Sequence, residues 1–65
     1  MGQSLKDAIT TLAARGHVVR PLDHRKFDID GRMLVNRLEV LELAEGLYSV
    51  SEMHERFVLR LAREN

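Results

Sequence analysis

His17-Val18-Val19-Arg20-Pro21-Leu22-Asp23-His24-Arg25-Lys26-Phe27-Asp28-Ile29-Asp30-Gly31 is the stretch that decides the fold of this 65-residue chain. Residues 17–20 are short and β-branched. Pro21, which has no N–H to give a ladder, confines them to a strand end or a sheet edge. Pro21-Leu22-Asp23-His24-Arg25 reads as a turn, after which Lys26-Phe27-Asp28-Ile29-Asp30 alternates polar and apolar, as a half-buried strand does. Together these make a β-hairpin. Asp30-Gly31 is itself a strong turn dipeptide, so Arg32-Met33-Leu34-Val35 either forms a brief third strand or leads into the next helix.

Helical periods flank this region on both sides. Upstream, Ser4-Leu5-Lys6-Asp7 has the form of a capping box, with Asp in the usual Glu place. Leu5, Ala8, Ile9, Leu12 and Ala13 follow at helical spacing, and Gly16 stands where a left-handed residue ends a helix. Downstream, Asn36-Arg37-Leu38-Glu39 repeats the capping pattern. Gly46 stands after Ala44-Glu45 as a helix-ending residue, with Leu47 placed to pack back on Leu41. Ser49-Val50-Ser51-Glu52 is a third capping box, with Tyr48 and Met53 in staple positions, and its helix runs to about Arg63. The sequence therefore predicts one small α+β domain over residues 1–65, of order α-β-β-α-α. A short β-hairpin packs against three helices, the last two form a helical hairpin, and residues 1–3 and 64–65 fray.

Steps of about 100° per residue assign the faces. On the second helix Leu38, Val40, Leu41, Leu43 and Ala44 spread over more than half the circumference, leaving Glu39 and Glu42 as a narrow wet strip. On the third, Val50, Met53, Phe57 and Leu61 form one stripe. Val58, Leu59 and Ala62 fall elsewhere, with Leu59 nearly opposite Val50. The expected core is Ile9, Leu12, Phe27, Ile29, Leu38, Leu41, Met53, Phe57 and Leu61.

Bulk properties bound the function. A chain of this length holds one marginal core, and with no Cys it has no disulfide to supplement it, which makes oligomerisation a natural support. At 45% hydrophobic and 31% charged residues the composition is that of a folded protein. No run of about eighteen apolar residues and no secretory leader is visible, so neither export nor membrane spanning is expected, and the location expected is cytoplasmic. Ten basic and ten acidic side chains leave no global field for phosphate. Locally, residues 1–35 carry six basic side chains against four acidic, +2, and residues 36–65 carry −2. Every Asp lies in the first half and every Glu in the second. That division suits Asp in turns and Glu in helices.

The chemistry expected is sparse. His17, His24 and His54 lack metal-ligand spacing, with no pair four residues apart on a helix and no Cys to complete a tetrahedron. Asp28-Ile29-Asp30-Gly31 fails as a calcium loop, because Lys26 takes the first ligand position and Arg37 the bidentate Glu position. Ser51 and His54 lack an orienting third group and a nucleophile elbow. The scattered glycines form no phosphate loop. No enzymatic activity, metal or cofactor is therefore expected.

Two surfaces remain. Arg20, Arg25, Lys26 and Arg32 on the hairpin are candidate phosphate contacts for a nucleic-acid-binding accessory protein. Asp23, Asp28 and Asp30 dilute them, and Phe27, the one aromatic ring among them, belongs to the core. The last two helices form no DNA reader either, because the early positions of the third hold Glu52, His54 and Glu55. The favoured reading is a non-catalytic protein-interaction module, self-associating or partner-bound through Val58, Leu59 and Ala62.

Overall fold

A computed structural model describes residues 4–64 of the chain. Residues 1–3 and 65, expected to fray, lie outside the described residues, whereas Glu64 is still helical. The elements run α1 (Leu5–Ala14), β1 (Val19–Pro21), β2 (Phe27–Ile29), β3 (Met33–Val35), α2 (Arg37–Glu45) and α3 (Val50–Glu64). The α+β class, the hairpin and the three helices are as the sequence predicts. Of the two courses the sequence allows residues 32–35, the chain takes the strand, with residues 33–35 forming β3.

The strands form an antiparallel meander of order β1-β2-β3, pairing Val19 with Ile29 and Ile29 with Met33. Pro21 ends β1, which is an edge strand, so its missing N–H breaks no ladder. Asp30 and Gly31 both have positive φ, 56° and 69°, and Arg32 N–H donates to Ile29 O, the two-residue turn that Asp-Gly favours. Alternation turns Val19, Phe27, Ile29, Met33 and Val35 to the core and leaves Arg20, Asp28 and Leu34 on the other face.

Local signals fix the helix ends. Gly16 and Gly46 lie in the left-handed region at φ 89° and 82°. After each, the chain bonds back in the pattern of a Schellman motif: Gly16 N–H to Ala13 O and His17 N–H to Leu12 O, then Gly46 N–H to Leu43 O and Leu47 N–H to Glu42 O. At the N-termini, Asn36 with Glu39 and Ser49 with Glu52 each exchange backbone and side-chain bonds reciprocally. α1 packs on α2 and touches β1, while α3 lies along β3. Arg15 crosses from the end of α1 to Leu43 O, near the negative end of α2.

Four expectations about burial fail. Leu38 is 63% exposed, because it lies about 160° around α2 from Val40, which with Leu43 and Ala44 forms the buried face. Glu39, expected in the wet strip, is only 5% exposed; its capping role folds the carboxylate inward, where Arg60 of α3 meets it. Leu61 is 45% exposed, so the inner stripe of α3 stops at Phe57. Leu47, likewise, stays mostly in solvent instead of closing on Leu41. The cause at Leu61 is length. Three-residue β3 spans about 10 Å, and fifteen-residue α3 about 22 Å, so the helix outruns the strand beneath it.

Candidate functional site

β3 and α3 run side by side from the β2–β3 turn toward the β1–β2 loop. The first end of this pair is closed. There the Asp30 carboxylate accepts Val18 N–H at 2.8 Å through Oδ1 and meets His17 Nδ1 at 2.9 Å through Oδ2. The backbone adds Asp30 N–H to Val18 O. The Val18 amide above all, then His17, holds the Asp30 carboxyl below its ordinary range. Ser51, His54 and Arg32 border the same cavity of about 280 Å³.

This cluster is the nearest approach to catalytic machinery in the fold. Among the described residues Ser51 hydrogen-bonds to neither histidine, so the nucleophile–base link is missing. Among the same residues no three His, Cys, Asp or Glu side chains group so as to hold a metal ion. His17 and Asp30 act as a clip that ties the start of β1 to the β2–β3 turn.

The other end is open. Beneath the last turns of α3 lies a groove of about 330 Å³, floored by Leu34 and Val35, overhung by Phe57 and Leu61, and rimmed by Arg25, Lys26, Arg60 and Glu64. Glu39 closes its inner wall with both oxygens engaged, one by Asn36 N–H at 3.0 Å and one by Arg60 at 3.2 Å. Arg25 and Lys26 are in no ion pair among the described residues. Asp23, whose carboxyl is held low chiefly by the Arg25 amide, spends Oδ1 on the amides of Arg25 and Lys26 within its own loop.

The four candidate phosphate contacts thus fall in three places. Arg25 and Lys26 rim the groove, Arg32 stands at the closed end, and Arg20 lies on the outer sheet face opposite Asp28. Val58, Leu59 and Ala62 are all exposed on α3, Leu59 at 57%. Arg56, Arg60 and Arg63 surround Leu59.

Sequence reasoning missed the groove. Leu34 carried a trace of it as the outward residue of an alternating triplet, and Arg60 carried none, since its bond to Glu39 spans 21 residues. No helix among the described residues is long and apolar enough to cross a membrane. Comparison with family models, curated proteins and solved structures finds no match to this chain.

Proposed function

We propose that this chain is a non-catalytic protein-interaction module that pairs with a second copy of itself through the last turns of α3, with Leu59 at the centre. The carrying observation is that Leu59, 57% exposed, is flanked by exposed Val58 and Ala62 on a helix face that points away from the core. Charge supports the same contact. Glu55 lies four residues before Leu59 and Arg63 four after, both exposed. Two copies of α3 crossing antiparallel about Leu59 set Arg63 of each opposite Glu55 of the other, the self-complementarity a twofold interface requires.

Burying Leu59 contributes about 1.5–3 kcal/mol per copy, a modest return against association costs of roughly 4–15 kcal/mol. The dimer is accordingly weak and concentration-dependent. Light scattering after gel filtration over tenfold-spaced concentrations tests it. The expected result is a mass that rises toward twice the monomer, with Leu59→Glu giving a folded monomer. Glu55→Arg should weaken association, and adding Arg63→Glu should restore it. A monomer at every concentration overturns the reading, and a Leu59→Glu variant that fails to fold places Leu59 in the intramolecular core.

A further inference from the structure

β3 is the second edge of the sheet, and its hydrogen-bonding pattern shows what that edge offers. Val18 pairs with Asp30 and Leu22 with Lys26 through backbone bonds, so the alternation of an antiparallel ladder makes Arg20 and Asp28 the bonded pair between them. Phe27 and Ile29 then turn their N–H and C=O groups to Val35 and Met33. Leu34, by the same alternation, turns both of its groups outward. Its neighbours are occupied: Arg32 N–H donates to Ile29 O, Asn36 N–H to Glu39, and Val40 N–H to Asn36 O. The free edge is therefore short and centred on Leu34, and it opens into the groove under Phe57 and Leu61.

We propose that this groove binds an extended acidic peptide segment as an added strand beside β3. Three features select that occupant. The Leu34 N–H and C=O offer the paired main-chain bonds of strand addition. Phe57 and Leu61 overhang the edge and receive the aliphatic side chains on the inner face of the incoming strand. Arg25 and Lys26, free of ion pairs among the described residues, stand at the loop end to meet carboxylates. Of the two carboxylates that line the groove, Glu39 is paired with Arg60 and Glu64 stands at the end of α3, so Arg25 and Lys26 leave the lining net positive.

A second copy of this chain fits the edge poorly. Self-pairing about Leu34 sets residue 36 opposite residue 32 of the mate, which brings Arg25 and Lys26 toward the mate's Arg32. The groove is also separate from the dimer contact, since Leu59 lies about 160° around α3 from both Phe57 and Leu61. The inference rests on the interaction-module reading and not on the dimer.

The test uses the full chain and an acetylated, amidated heptapeptide of alternating Glu and Val, titrated by NMR. The expected result is a shift and slowed exchange of the Leu34 amide, with smaller shifts at Phe57 and Leu61. Proline at position 34 leaves the ladder intact because that N–H faces outward, so Leu34→Pro should fold and bind about tenfold or more weakly. Should Leu34→Pro not fold, the heptapeptide N-methylated at alternate residues removes the complementary bond, peptide N–H to Leu34 O, and should weaken binding comparably. Arg25→Glu with Lys26→Glu, both exposed, should reverse the preference between the Glu peptide and its Lys counterpart. Unchanged binding by folded Leu34→Pro or by the N-methylated peptide overturns the proposal. Equal binding of the Lys peptide, or salt-sensitive shifts at Arg25 and Lys26 with random DNA duplex and none with the peptide, does so as well. Leu59→Glu should leave peptide affinity unchanged, so loss of the dimer and loss of this site read out separately.

Discussion

Asp23 and Asp30 sit in the two turns of the same meander, and both carboxyls are held low by backbone amides. Their partners differ. Asp23 bonds only to amides two and three residues away, while Asp30 reaches thirteen residues back to His17 and twelve to Val18. The first shapes a loop, and the second fastens two parts of the chain together. The contrast extends to α3, whose first turns bury Met53 at the fastened end, while its last turns leave Leu59 and Leu61 in solvent beyond the strand. One end is pinned by long-range side-chain bonds, while at the other the last turns of α3 present free apolar surface.

Substitutions should separate the two ends by size of effect. Met53→Ala at the closed end removes a side chain that is 1% exposed and should cost about 2–5 kcal/mol, enough to leave a domain of this size largely unfolded in a denaturant titration. Arg60→Ala tests the ion pair that links the open end to buried Glu39. Its half-exposed guanidinium neutralises buried Glu39, and its loss should cost about 1–2 kcal/mol, with Glu39→Gln in the same background recovering part of that.

Acid should loosen the closed end in a defined window. Asp30 has a folded pKa below its unfolded value of about 3.9, so its contribution is fully present above that value and is lost as pH falls through the folded pKa. Denaturation midpoints measured across this range should fall for the wild type and stay flatter for Asp30→Asn. Exchange of the Val18 amide should quicken over the same interval. The smallest effect belongs to Leu59→Ala, expected to change stability by no more than about 0.5 kcal/mol in the dilute monomer. A large loss there would erase the division between the ends.

What the sequence shows directly is what neighbours decide. Ser4, Asn36 and Ser49 cap their helices, Gly16 and Gly46 end two of them, and Asp30-Gly31 turns the chain, because each signal acts over five residues or fewer. Periodicity also places Met53 and Phe57 on the inner face of α3. It does not say how much strand lies under that face, so Leu61 is misplaced. Nor does it orient α2, where Leu38 and Glu39 exchange their expected environments once Arg60 arrives from another helix. The exposure of Leu59 follows from spacing alone, whereas the groove depends on the short β3 and could not be read before the strands were paired.

The meander has a kinetic consequence. Both strand pairings join segments adjacent in the chain, and each helix end closes on its own residues, so most of the architecture assembles by short-range search. The longest-range contact is α1 against α2, elements separated by the entire sheet and joined at their ends by Arg15 reaching Leu43 O. Bringing them together closes a loop that already contains the strands, and hydrophobic burial of Ala8 and Leu12 rewards the closure only once it is complete. Folding on the order of milliseconds is the expectation for such a mixed topology, with docking of the first helix as its slowest step.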